Sequence, residues 1–295
     1  MEILLIRTFS EVIATGSFVA AAERLNVTQS TVSMRIRALE EQLGCLLFLR
    51  SKAGARLTPA GTQFQRYARG IIRIWEQARL EVALPPGYRG QLRLGGQFTL
   101  WDGLLLKWLH WMRTAAPDIA LRTEVGLSPG LMRQLLDGVL DIGVMYTPES
   151  SADLVVERLF DERFILVSTI GTSTAPFEPG YVYVDWGPEF QAAHAAQYPD
   201  LPMPGMSTSL GALALRYILE NGGSGYFPER VVRPFLQSGA LKRVAKAPVF
   251  GRAAYLVYPD VQDNAALSIA LQGVRHVAAL ETEDQSTPLD LLSTE

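Results

Sequence analysis

Residues 28–37, TQSTVSMRIR, place Gln29, Ser30, Thr31 and Ser33 close together, with Arg35 and Arg37 just behind. Each of the four leading side chains is short or carries an amide. A glutamine can pair with adenine N6 and N7, and a serine or threonine hydroxyl bonds either kind of base edge. Free backbone N–H groups at a helix start favour a phosphate, and Thr28 is a good cap for such a start. Capping alone also accounts for the serines and threonines. The chemistry offered is therefore reading of base edges or ordinary closure of a helix end.

The surrounding elements decide what this stretch can face. Val32, Ile36, Leu39 and Leu43 form one apolar stripe of a helix from Gln29 to about Leu43. Ser30, Met34, Arg37 and Glu41 point the opposite way, with Thr31 and Ser33 flanking. Upstream, Ile3, Leu5, Ile6, Phe9, Val12 and Ile13 predict a helix over 2–15, ended by Gly16. Ser17 caps an alanine-rich helix, Phe18–Leu25, and Asn26-Val27-Thr28 make a short turn. Two helices, a tight turn and a third helix read as a helix-turn-helix. In LFLRSKAGARLT, 47–58, two β-prone runs flank Lys52-Ala53-Gly54, a hairpin carrying Arg50, Lys52 and Arg56. A basic hairpin in that place is a wing.

Thr58 and Pro59 open a long helix, 59–84. Along it Phe64, Ala68, Ile71, Trp75, Ala78 and Val82 recur at steps of 4, 3, 4, 3 and 4. Such a seam pairs two chains or packs on its own domain; its regularity favours pairing. Pro85-Pro86-Gly87 ends the helix, and residues 85–90 form a hinge.

Charge divides at the same place. Residues 1–90 hold 12 Lys+Arg against 7 Asp+Glu, and the remaining 205 hold 15 against 23, so +5 and −8 sum to −3. A basic head on an acidic body predicts that only the head meets a polyanion.

From Gln91 onward strands and helices alternate, which predicts an α/β domain of parallel sheets over 91–295. The expected elements are the strands QLRLGG, IALRTEVG, DIGVMY, FILVSTI, YVYVDW and YLVYP, and helices over Trp101–Thr114, Leu131–Leu140 and Thr208–Glu220. Ligands of such sheets sit beyond the carboxyl ends of strands. The residues there are Gln97, Phe98 and Thr99, Ser128, Tyr146 and Thr147, then Ser207 and Thr208, and Tyr226 and Phe227. Thr99, Ser128 and Thr208 can bond a carboxylate or hydroxyl, or merely cap helices. Phe98, Trp101, Tyr146, Tyr226 and Phe227 either narrow a cleft for an anionic or aromatic metabolite or belong to the core. Trp101, Trp108 and Trp111 read as packing. The acidic tail ETEDQSTPLDLLSTE reads as loose at its end.

Enzyme chemistry finds little support. His110, His194 and His276 are scattered, without metal or triad spacing. Cys45, the single cysteine, reads as a buried small apolar side chain and suits a reducing compartment. GGSG at 222–225 lacks a P-loop lysine and dinucleotide-fold spacing. No metal or cofactor is expected. No apolar run reaches the length of a membrane span, and MEILLIRTFSE has too short an apolar run for a signal peptide.

Across residues 5–64 the string L..F..V...GSF..AAERLNVTQSTVS.RIRALEEQLG..LF.R.....LTPAG strongly resembles the LysR-type transcriptional regulators. Further on, LLDGVLDIGVMY, LENGGSGYFP and SGALKRV are similar to that family's co-effector domain. TLWDGLLLKWL and VDWGPEFQAAH resemble a subgroup that includes a repressor of the flagellar master operon. The resemblance implies a winged helix-turn-helix over 1–58, a linker helix over 59–84, and a C-terminal domain of periplasmic-binding-protein type 2 architecture. Its two lobes are expected at about 91–160 with 267–295, and at about 161–266. It puts base contacts at Gln29, Ser30, Thr31 and Ser33; beside them Thr28, Arg35 and Arg37 read as backbone contacts, and Arg50 and Lys52 as contacts to the backbone or minor groove, or as a solvated basic hairpin. Many members carry arginine where this chain has Met34, which here can meet a thymine methyl. The family further implies a homodimer or homotetramer on double-stranded DNA with an interrupted palindrome, a small-molecule effector between the lobes, RNA polymerase as partner if the protein activates, and a cytoplasmic, nucleoid-associated location. An effector-independent repressor or architectural DNA-binder is the competing reading.

Overall fold

A computed structural model describes residues 2–51, 54–82, 84, 86–170, 180–260 and 264–286. The chain divides into two compact units: Met1–Arg93 with Asp118–Arg122 and Met132–Asp141, and the remainder, Leu94–Pro117, Thr123–Leu131 and Ile142–Glu295.

The amino-terminal part of the first unit is three helices, a hairpin and a long helix. They are α1 Ile3–Thr15, α2 Phe18–Arg24, α3 Gln29–Leu43, β1 Phe48–Ser51, β2 Gly54–Leu57 and α4 Pro59–Val82. The caps follow sequence chemistry. Ser17 accepts from the N–H groups of Val19 and Ala20, and Thr58 from that of Gly61 at 2.9 Å. Gly16 and Gly44 end α1 and α3 in the left-handed region, where a side chain is disfavoured. Ile6, Phe9, Val12, Val32, Ile36, Leu39 and Leu47 are fully enclosed, each worth about 1.5–3 kcal/mol on folding.

Three expectations change here. Leu43 leaves the buried stripe at 38% exposure, and Glu40 takes a buried place instead. Its carboxylate accepts from the N–H groups of Leu47 (2.8 Å) and Phe48 (3.2 Å), tying α3 to the first wing strand. Cys45 is exposed rather than buried, because Gly44 turns the chain away from the core. The seam of α4 splits: Ala68 is buried, Phe64 and Ile71 pack on the head's own core, and Trp75, Ala78 and Val82 are exposed. Lys52 lies outside the described residues, as does the side chain of Arg50.

The C-terminal sheet is built from β3 Gly90–Gly96, β4 Ile119–Val125, β5 Ile142–Met145, β6 Leu154–Ser168, β9 Ser224–Pro228, β10 Lys242–Arg243 and β11 Phe250–Pro259. These seven strands run in the order β10-β6-β11-β5-β3-β4, with β9 also paired to β6. β3 and β5 are parallel, as alternation predicts, but β11 runs antiparallel to both β5 and β6. The all-parallel expectation fails because β6, at 15 residues, and β11 are long strands that cross from one lobe to the other. The expected boundary at residue 161 therefore falls inside a strand. Their pairing shifts register between Ala254 and Tyr255, a bulge at the crossing.

The second lobe adds β7 Val182–Val184 and β8 Met206–Thr208, a parallel pair, with α8 Pro188–Gln197, α9 Gly211–Asn221 and α10 Glu229–Gln237. Its core gathers Phe164, Trp186, Phe190, Ile218, Tyr226, Phe227 and Phe250. α6 Leu106–Ala115 and α11 Ala265–Ser286 belong to the first lobe, where Trp108 donates to the carbonyl of Ala270 at 3.0 Å. Part of the acidic tail is thus helical as far as Ser286. The helix expected over Trp101–Thr114 is interrupted at Asp102 (ψ 119) and Gly103 (φ 79), between the short α5 Phe98–Leu100 and α6. The helix expected at Leu131–Leu140 is α7 Ser128–Leu136, stopped early by Gly138 at positive φ. No single described helix is long and apolar enough to cross a membrane.

Candidate functional site

The first site is the leading turn of α3. Thr28 accepts from the N–H of Thr31 (3.2 Å), and its hydroxyl sits 2.8 Å from those of Ser30 and Thr31. Capping chemistry is therefore present. It does not consume the outer face: Gln29 and Ser30 are exposed, Thr31 and Ser33 half-buried, Met34 64% exposed and Arg37 exposed. Ser30, Ser33, Met34, Arg37, Ala38 and Glu41 line one shallow surface depression. No acid occupies the first turn, so the positive end of the helix dipole faces outward uncompensated. Arg35 turns inward, its Nη1 3.5 Å from the Thr8 hydroxyl of α1, whereas Arg37 stays in solvent. The arrangement presents hydrogen-bonding tips and a cation along one exposed helix face, suited to a groove whose walls are phosphates.

The second site lies where β3, β4 and β5 end. Gln97 N donates to the carbonyl of Val144, and Gly126 N to that of Gly96, both at 3.1 Å. These bonds bring three distant loops together. The Gln97 side-chain oxygen accepts from Tyr146 N (2.7 Å) and Ser128 Oγ (3.2 Å), and Thr147 Oγ1 donates to Ser128 Oγ (3.1 Å). Gln97, Ser128, Tyr146 and Thr147 thus form one cluster, with Phe98 49% exposed beside it.

From the other lobe, Arg230 reaches the same loops. Its guanidinium is 1% exposed and binds the Glu162 carboxylate through Nε (3.0 Å to both oxygens) and Nη2 (2.9 Å). Nη2 also donates to the Thr99 carbonyl (2.6 Å), and Nη1 to that of Asp102. The helix break frees the Asp102 carbonyl for this bond. Gly103 keeps the approach clear, since a Cβ there would stand 3.2 Å from Nη1. The Tyr146 hydroxyl completes the group, donating to Glu162 at 2.9 Å. Burial alone would lower the Arg230 pKa, but Glu162 and Tyr146 outweigh it and hold the cation charged. Burial, reinforced by Glu162, pushes the Tyr146 phenol up, so it remains a donor.

The other expected residues lie elsewhere. Ser207 and Thr208 sit on β8, where the Thr208 carbonyl accepts from Asp185 N at 2.9 Å and its hydroxyl from Leu210 N. The helix expected to start at Thr208 starts at Gly211. Tyr226 and Phe227 are 0% and 1% exposed inside the second lobe's core, paired with β6, and leave the cleft. Arg230 and Glu162, 68 positions apart, carried no sequence signal; Glu40 carried one, falling four residues after Ile36 on the buried stripe. Among the described residues no group of three His, Cys, Asp or Glu side chains could hold a metal ion.

Comparison with known proteins assigns a family to each of the two regions. Residues 3–62 match the family model of bacterial regulatory helix-turn-helix proteins of the lysR family, and residues 86–277 that of the LysR substrate binding domain. The HTH-type transcriptional regulator HdfR of Escherichia coli K12 is 30% identical over 270 residues, 90% of this chain and 95% of that protein. HdfR of Shigella flexneri matches to the same extent. Among solved structures, a full-length OxyR variant from Pseudomonas aeruginosa superposes with a TM-score of 0.58 at 23% identity, over 93% of this chain and 98% of that one. LysG from Corynebacterium glutamicum, solved with its effector Arg, gives 0.59 at 17% identity, over 95% and 99%. The chain belongs to the LysR family of transcriptional regulators, with a DNA-binding helix-turn-helix and an effector-binding domain.

Proposed function

We propose that this regulator reads an interrupted palindromic operator with the leading turn of α3 and adjusts that binding to a small molecule held between the lobes of its C-terminal domain. Gln29, Ser30, Thr31 and Ser33 read bases; Thr28, Arg37, Arg50 and Lys52 hold phosphates. Arg35, turned toward Thr8, contributes less to the backbone contact than its place in the sequence suggests. Trp75, Ala78 and Val82 pair the linker helices of two chains, since an exposed apolar stripe at heptad spacing needs a cover. The pairing sets two heads on two half-sites, and the protein works in the cytoplasm as a dimer or tetramer.

The observation that carries the effector reading is the cluster of Gln97, Ser128, Tyr146 and Thr147 facing Arg230 of the other lobe. Ligand entry there must break or replace hydrogen bonds that hold the lobes together, which couples occupancy to lobe geometry. Footprinting on the upstream region of the neighbouring gene, with and without a cell metabolite extract, tests it. A footprint whose extent or affinity changes with extract is expected; an identical footprint in both favours an effector-independent repressor. The Arg230–Glu162 bridge supports that second reading, because it gives the domain a self-contained closed arrangement.

A further inference from the structure

Arg252 is a second buried cation beside the cleft, and it contrasts with Arg230. It lies on β11 opposite Glu162 of β6, two residues before the bulge where the strands cross. Its side chain is only 9% exposed. The guanidinium stacks over the Tyr146 ring at 4.4 Å, and Nη1 donates to the Trp186 carbonyl. Nε is buried without any hydrogen-bond partner. The nearest carboxylate, Glu189, stands 3.8 Å from Nε, beyond hydrogen-bond reach, on a side chain 63% exposed. Asp185, also nearby, is engaged by the N–H of Gly187 at 2.8 Å. Burial lowers the Arg252 pKa, and Tyr146, Glu189, Asp185 and Glu162 oppose it only in part.

Gly187 and the start of α8 adjoin the guanidinium. Gly187 holds φ 107, and a Cβ there would come within 3.3 Å of Nη1 and Nη2. Gly187 also caps the ten-residue helix α8, with Pro188 in its first turn, so a helix N-terminus adjoins the same guanidinium.

We propose that Arg252 is the receptor for a carboxylate, so that the effector of this regulator is a small organic acid. Its carboxylate bonds the Nε edge of the fork, assisted by the start of α8, while the exposed Glu189 swings out to solvent. The inference rests on the effector-binding reading above and supplies the ligand class.

The full-length protein is titrated with sodium acetate, benzoate and succinate, each against sodium chloride at equal ionic strength, and its Tm followed. At least one carboxylate is expected to raise Tm by about 2 °C or more at saturation. Arg252→Gln should abolish the shift and Arg252→Lys weaken binding about tenfold. Glu189→Gln, a change at an exposed position, should tighten binding about threefold. No carboxylate-specific shift in the parent protein, a shift retained in Arg252→Gln, or unchanged affinity in Glu189→Gln overturns the proposal. Operator affinity is measured on the same samples. Carboxylate binding that leaves operator affinity unchanged overturns the effector reading and leaves the receptor standing; an operator response that persists in Arg252→Gln does the reverse.

Discussion

The recognition helix and the interlobe cleft solve opposite problems. In the head, Gln29, Ser30, Met34 and Arg37 come from one helix, and their placement follows from its period once Val32, Ile36 and Leu39 are buried. In the cleft, Gln97 and Asp102, then Tyr146, Glu162 and Arg230, come from four separate segments, and no local rule relates them. The outward polar groups of α3, Gln29, Ser30 and Arg37, stay in water and await a partner. Those in the cleft are desolvated and must satisfy one another, so each is expensive to remove. Local assembly makes a tolerant surface; long-range assembly makes an intolerant one.

The comparison breaks most easily at Arg230. Arg230→Met leaves the Glu162 carboxylate buried and unpaired, and should destabilise the C-terminal domain by about 3–5 kcal/mol. Chemical denaturation measures this, and Arg230→Met with Glu162→Gln should recover part of the loss. A single variant as stable as the parent would show that the cleft is no more demanding than the head. Gln29→Ala should cost about 1–3 kcal/mol on the cognate operator, with little change on random DNA. An equal loss on both would remove Gln29 from the base readers.

A third test uses pH. His194 is 4% exposed, its Nε2 2.7 Å from the Tyr181 hydroxyl, and burial lowers its pKa below 6.5. The unfolded chain therefore takes up this proton first as pH falls. The stabilisation is complete above the unfolded pKa and declines below it, by up to about 1.4 kcal/mol per pH unit until the folded pKa is reached. Residues 1–90 contain no histidine, so head unfolding should lack this component. Circular dichroism melts from pH 7.5 to 5 should show the decline, and His194→Gln should flatten it; a slope unaffected by that change would assign it elsewhere. The smallest effect belongs to Arg37→Ala. It should weaken specific and random DNA binding alike and reduce the salt slope by about one. An unchanged slope would take Arg37 off the phosphate contacts.

Legibility followed the same division. Thr28, Ser17 and Thr58 were readable as caps because a cap is decided within four residues. The split seam of α4 was not readable, since Ala68 and Trp75 share one heptad pattern and only the head's core distinguishes the buried from the exposed half. Thr208 was misplaced on a helix because Val184, 24 positions earlier, recruits it into a strand. Tyr226 and Phe227 followed the pattern of cleft aromatics, yet pairing with Leu166 and Ile165 of β6 carries both into the core.

The amino-acid sequence by itself determined the helix-turn-helix, the outward chemistry of α3 and the basic head on an acidic body. Caps, helical period and charge act between neighbours along the chain. Only the tertiary structure decided that β6 and β11 run through both lobes, that Arg230 spans the cleft to Asp102, and that Arg252 is buried with its Nε unpartnered. Burial and pairing between residues far apart depend on which strands meet, and spacing along the chain does not encode that meeting.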